Sequence, residues 1–176
     1  MESPFKGLNQ TQKSFHKFRR LFSNLLNLGT DFKENVSLLV RDCGEILEAD
    51  LCMYNRLEEG MISTVSSWKL PDNFKKRYKA EGQFSYDVIK KNPADQPLVV
   101  KDLTHSHYYK IDPNVKKFHL KTYIGFPVKY RDSIIGSLCV AYKNNRNLTL
   151  EEIQILRLIA TFIGIEEERK NLNEQL

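Results

Sequence analysis

At 176 residues the chain has room for one domain with a sizeable apolar core and is short for two. A composition of 41% hydrophobic, 28% charged and 11% aromatic residues excludes a disordered chain, and the longest apolar runs, residues 134–142 and 158–165, fall well short of the roughly 20 residues of a membrane-spanning helix. The net charge of +5 is a mild excess that favours anionic ligands or nucleic acid only weakly, and it is unevenly spread: residues 11–30 carry four basic side chains and no acid, residues 151–176 six acids against three bases.

Residues 1–9 read as a flexible N-terminus. Phe15, Phe18, Phe22 and Leu25 then recur at helical spacing, so residues 10–28 form an amphipathic helix ended by Gly29. Thr30 or Asp31 caps a second helix whose apolar face is Val36, Leu39, Val40, Cys43, Ile46 and Leu47. Two strands follow, residues 51–57 and 61–68, joined by Glu58-Glu59-Gly60 as a hairpin. Residues 69–121 hold four of the six prolines and read as short pieces laid over a sheet: helical turns at 72–79 and 84–91, a brief strand at 98–100, a polar loop at 102–113 and another helical turn at 114–120. A second hairpin, 122–129 and 133–142, carries Pro127, which implies an edge or bulge, and the glycines Gly125 and Gly136, which imply close approach of other groups. Thr149 and Glu152 make a capping box for a last helix running to Leu176. Along it Leu158, Phe162, Ile165, Arg169, Leu172 and Leu176 step by four and three, a heptad seam that calls for a partner helix beyond Glu166.

Chemistry-bearing motifs are sparse. Cys43, Cys52 and Cys139 match no disulfide or zinc spacing. The pair His105 and His107 supplies too few ligands for a metal. No nucleophile elbow, P-loop or dinucleotide glycine pattern occurs, so no catalytic residue is assigned and an enzyme is not expected. The basic run Lys75-Lys76-Arg77-Tyr78-Lys79 lacks any recognition-helix context and reads as a solvated helix face rather than a nucleic-acid site. The start, MESPFKGLNQ, has no signal-peptide pattern, and a cytoplasmic location away from membranes is the expectation.

Three passages resemble the GAF domain family in the right order. Residues 81–102, EGQFSYDVIKKNPADQPLVVKD, resemble its glycine, short helix and strand ending in Asp. Residues 120–142, LKTYIGFPVKYRDSIIGSLCVAY, resemble its strand-to-Pro, turn and glycine-bearing strand. Residues 148–168, LTLEEIQILRLIATFIGIEEE, resemble its closing helix. The resemblance implies an α+β, GAF/PAS-like (profilin-like) three-layer α/β/α fold, with a central antiparallel sheet of five or six strands and the long N- and C-terminal helices on one face. A single domain over 10–170 would lead into a coiled-coil or signalling helix at 166–176.

The function so implied is a sensor module in signal transduction, two-component systems included, that binds an unidentified small molecule and relays this through its last helix to an output domain such as a histidine kinase. Alternatives are a free methionine sulfoxide reductase-like enzyme and a ligand-free dimerisation module. No cofactor is identified: no Cys is followed by His as in bilin-attaching members, and Lys143-Asn144-Asn145-Arg146-Asn147 departs from the cyclic-nucleotide signature. A homodimer through residues 15–28 and 158–176 is expected, helped by their opposite charges. The pocket is expected on the sheet face bearing Gly125 and Gly136, under residues 69–121, with Trp68, Phe84, Val88, Asp102, Tyr108, Tyr109, Tyr123 and Gly125 as its lining. Ordinary core is an equal reading of the aromatics, and anchoring of the loop is the nearer role for Asp102.

Overall fold

A computed structural model describes residues 9–176; the segment expected to be a flexible N-terminus lies, but for residue 9, outside the described residues. Asn9 and Gln12 form a reciprocal capping box that opens α1 (Gln10–Leu26), and Asp31 accepts the Glu34 N–H to open α2 (Phe32–Ile46). β1 (Leu51–Glu58) and β2 (Met61–Trp68) turn through Glu59 and Gly60, both at positive φ, as a tight hairpin demands.

The next stretch departs from expectation. Residues 72–79 do not form a helical turn; their end is an edge strand, β3 (Arg77–Lys79), paired with β2, and its alternating basic side chains protect the sheet edge from further pairing. Tyr78, the middle residue, turns inward and is half-buried. Then come α3 (Phe84–Lys90), β4 (Leu98–Val100), a 3-10 turn at Leu103–His105, α4 (Tyr108–Ile111), α5 (Pro113–Lys117), β5 (Thr122–Tyr130), β6 (Ser133–Tyr142) and α6 (Leu150–Glu174).

The six strands form one antiparallel sheet in the order β3-β2-β1-β6-β5-β4. β4 pairs only with Tyr123, Ile124 and Gly125, so at Pro127 the side of β5 away from β6 has no strand beside it, and a bulge follows at Val128/Lys129.

Strand alternation separates two cores. Tyr54, Ile124, Phe126, Val128, Leu138, Val140 and Tyr142 face α2 and α6, with α1 laid on them through Phe18, Leu21 and Leu25. Met53, Tyr123, Cys139 and Ala141 face the other way, toward α3, α4, α5 and the loops. Burying a side chain such as Leu39 or Ile159 contributes about 1.5–3 kcal/mol, so the helix-covered core supplies much of the stability. Helix and sheet come close where residues are smallest: a Cβ on Gly164 of α6 would sit 2.2 Å from the Lys129 carbonyl oxygen.

Part of the opposite charge of α1 and α6 is satisfied within one chain. Lys17 Nζ lies 3.0 Å from Glu152, which also holds Arg146 at 2.9 Å, while Arg20 pairs with Asp42 and Glu45 of α2.

Candidate ligand-binding site

On the loop-covered face, the Phe84 ring stacks between Tyr108 and Tyr123 at centroid distances of 3.9 and 4.3 Å. Gly125 makes this possible. A Cβ there would lie 2.6 Å from the Tyr123 hydroxyl and 2.7 Å from Val88 Cγ2, so only glycine lets the tyrosine ring lean along its own strand while α3 closes over it. The structure therefore brings Phe84, Val88, Tyr108, Tyr123 and Gly125 together, mostly as packed core.

The other three expected lining residues lie elsewhere. Trp68 is across from Cys52 in the hairpin and shares its face, so the indole packs under α2, where a Cβ on Gly44 would be 2.2 Å from it. Asp102 is exposed, in the left-handed region, and its carboxylate accepts hydrogen bonds from Thr104 Oγ1 (2.9 Å) and His105 Nδ1 (2.8 Å), which anchors the loop. Tyr109 packs half-buried against the edge of the loop-face core and lines, with Lys110, Pro113, Lys116 and Lys117, an open depression rather than the cavity.

Beside the aromatic stack is a cavity of about 30 Å³, lined by Met53, Phe74, Phe84, Leu120 and Ala141 and by the polar groups of Asn55, Tyr78, Ser85, Asp112, Tyr123 and Cys139. Asn55 Nδ2 donates to Ser85 Oγ (3.0 Å) and its Oδ1 accepts from Thr64 (2.8 Å). The Tyr123 hydroxyl is buried with no hydrogen-bond partner, a costly state unless something fills it. Asp112 is 7% exposed, and one carboxylate oxygen accepts the Asn114 N–H at 2.9 Å. Desolvation raises its pKa above the usual carboxylate range, and burial likewise pushes the Cys139 thiol up to about 12. A cavity of this size holds about two waters or a small polar group.

Two wider grooves, about 250 Å³ between β5 and α6 and about 290 Å³ where α1 meets the start of α6, have charged rims whose members pair with one another. They lack buried polar groups in want of partners. Among the described residues no three His, Cys, Asp or Glu side chains gather as metal ligands, and no helix is long and apolar enough to cross a membrane.

Asn55, Tyr78, Ser85 and Asp112 were not among the expected site residues. Asn55 had a signal: it follows Met53 by two in an apolar strand and so occupies an inward phase with a polar side chain. Asp112 before Pro113 reads only as a helix cap.

The GAF domain family model matches residues 31–166, most of the chain and all six strands. The chain belongs to the GAF domain family. No curated protein sequence matches it. Among solved structures, this GAF domain is similar to that of a phosphoenolpyruvate-protein phosphotransferase (ptsP) from Coxiella burnetii, at 16% identity and TM-score 0.77 over 96% of this chain and 100% of that one. It is similar to free methionine-R-sulfoxide reductase from Neisseria meningitidis in complex with its substrate, at 11% identity and TM-score 0.76 over 98% of each chain. The GAF domain of a putative sensor histidine kinase from Pseudomonas syringae pv. tomato matches at 16% identity and TM-score 0.64 over 94% of each. At such identities the likeness is one of fold.

Proposed function

We propose that this GAF domain is the sensory module of a cytoplasmic signal-transduction protein, binding a small molecule in the cavity under residues 69–121 and relaying occupancy through α6 to an output domain such as a histidine kinase. The supporting observation is the way one strand joins the two ends of that path. β1 places Asn55 in the cavity, while its neighbours Tyr54 and Arg56, on the opposite face, hold Glu167 of α6: Tyr54 donates to it at 2.7 Å and Arg56 Nη2 at 2.5 and 2.7 Å. Asn35 Nδ2 donates to the adjacent Glu166 at 2.8 Å, and Arg169 pairs with it at 2.7 Å. Both glutamates are 2% exposed, so the signalling end of α6 is tied to the sheet and to α2 by buried charges. A ligand that favours one arrangement of β1 thereby biases α6.

The output is read best as a dimer. α1 leaves Phe15, Phe22 and Leu26 in water, and α6 leaves Ile165 and Leu172, with Leu176 exposed just past its end. The polar lining of the cavity speaks against a module that serves dimerisation alone.

The chain is not an enzyme in this reading. Of the three thiols only Cys139 lines the cavity; Cys43 and Cys52 are buried in the helix-covered core, so no second thiol is on hand to resolve an oxidised Cys139, and its high pKa keeps it protonated. Native mass spectrometry of protein purified from cells tests the reading: a stoichiometric small molecule that is lost from Asn55→Leu supports it, and a protein that carries none and responds to none in a metabolite screen overturns it. A thiol-dependent methionine sulfoxide reductase assay is expected to show no turnover.

A further inference from the structure

Resting on the sensory reading above, we infer that the ligand is a small amino-acid-like zwitterion, its ammonium group seated on Asp112 and its acidic end directed to the cavity hydroxyls and the basic cover. The inference starts from a missing counter-charge. Asp112 is 93% buried among Phe74, Tyr78, Leu120 and Tyr123, and the hydrogen bonding that stabilises its charge comes from Asn114 alone, through its backbone N–H and its side chain, with no Lys, Arg or His contributing. Other buried carboxylates of the chain are treated differently: Glu152, Glu166, Glu167 and Asp42 are each paired with a Lys or Arg. A buried carboxylate without a cation is costly, and a partner that brings the cation recovers that cost on binding.

The second observation is the unpartnered Tyr123 hydroxyl in the same cavity, 6% exposed as a residue, with Ser85 beside it. Asn55 Nδ2 donates to Ser85 Oγ, and the serine proton is left to donate in turn, to the neighbouring Tyr78 or Tyr123 oxygen or to a ligand. Two hydroxyl donors therefore face a space that also holds one unmatched carboxylate.

The charge of the cover excludes the simpler ligands. Residues 69–121 carry twelve Lys or Arg against six Asp or Glu, a surplus of six in a chain whose net charge is +5. A simple cation approaching Asp112 has to cross that positive field, whereas a simple anion drawn by the field meets Asp112 at the end of its path. A molecule with both charges satisfies both. Its ammonium also shares the cavity with the aromatic side chains of Phe74 and Tyr78, whose ring faces attract an organic cation. The cavity of about 30 Å³ takes only a few atoms, so a ligand of any size must displace the Tyr108–Phe84–Tyr123 stack or the loop bearing Phe74, which links binding to the cover's conformation.

Three probes of one shape separate the possibilities: L-alanine, which has both charges, ethylammonium, which lacks the carboxylate, and propionate, which lacks the amine. Each is titrated to about 50 mM into the intact chain, since a few heavy atoms reach millimolar affinity at best, with amide shifts in two-dimensional NMR read at Asn55, Ser85 and Asn114. L-alanine is expected to shift these signals saturably, ethylammonium more weakly and propionate not at all. Asp112→Asn keeps an equally good helix cap and is expected to weaken L-alanine at least tenfold; Tyr123→Phe, which leaves the ring stack intact, weakens it severalfold. Propionate binding as tightly as L-alanine, undiminished L-alanine binding to Asp112→Asn, or no cavity shift from any probe would each overturn the inference. A co-purified ligand without an amine would overturn it too, yet leave the sensory reading standing.

Discussion

The two faces of the sheet are built on different terms. The face under α1, α2 and α6 is covered by long helices whose apolar stripes match the strands, and its buried polar groups are paired: Glu167 with Tyr54 and Arg56, Glu166 with Asn35 and Arg169, Asp42 with Arg20 and Asn24. The face under residues 69–121 is covered by helices of four to seven residues. There lie the cavity, the unpartnered Tyr123 and Ser137 hydroxyls, and the unpaired Asp112. Stability is concentrated on the first face, and the capacity to respond to a ligand on the second, as expected when binding regions are drawn from the less stable part of a structure.

The sharpest way to break this contrast is Glu167→Ala. It leaves the buried Tyr54 hydroxyl without its acceptor and Arg56 with Glu58 alone, and a loss of about 3 kcal/mol is expected in urea unfolding; a loss under about 1 kcal/mol would show that the paired face does not carry the stability assigned to it. Gly164→Ala follows closely, with about 2–3 kcal/mol lost because its methyl meets the Lys129 carbonyl, which cannot move without bending β5.

The loop face should be more forgiving. Ser137→Ala removes a buried hydroxyl that has no partner, so stability is expected to stay within about 0.5 kcal/mol or to rise.

Asp112→Asn sharpens the comparison through pH. The native carboxyl has a raised pKa, so the folded chain binds its proton more tightly than the unfolded chain does. The resulting penalty is present in full above the raised native pKa, shrinks as pH falls, and is gone below the unfolded value of 3.8. The stability gain of Asn over Asp should therefore be largest near pH 7 and vanish toward pH 4, as read from paired thermal melts. A gain independent of pH would deny that the carboxyl is buried unpaired.

The smallest effect concerns α1 and α6. Light scattering at about 50 µM should show a dimer, and Phe22→Glu with Leu172→Glu should make it a monomer with little change in melting temperature, because both side chains are exposed. A wild-type monomer would remove the basis for output through paired helices.

Periodicity made the helix-covered face legible. The stripes of α1, α2 and α6, the caps at Asp31 and Thr149 and the alternation in β5 and β6 are all local patterns with one structural solution each. Patterns of that kind placed Tyr123 and Gly125 on the loop face, but Gly136, expected on the same face, lies on the helix-covered one, where it makes room for the Tyr54 ring. They were silent where the chain is irregular. The run Lys75 to Lys79 has helix-forming residues but ends in an edge strand, Arg77 to Lys79, because β2 offers it a partner. Trp68 was assigned to the wrong side because its face is set by register with Cys52, not by its own neighbours in sequence.

What the amino-acid sequence determined by itself was therefore the long helices, the two hairpins, the family and the two-faced sheet, since each rests on contacts within a few residues or on alternation along one strand. The cavity was decided only in three dimensions. Asn55 from β1, Ser85 from α3, Asp112 ahead of α5 and Tyr123 from β5 are separated by up to 68 residues of chain. Whether a polar side chain among them is paired, capped or left wanting a partner depends on which segments close over it, and no local pattern encodes that.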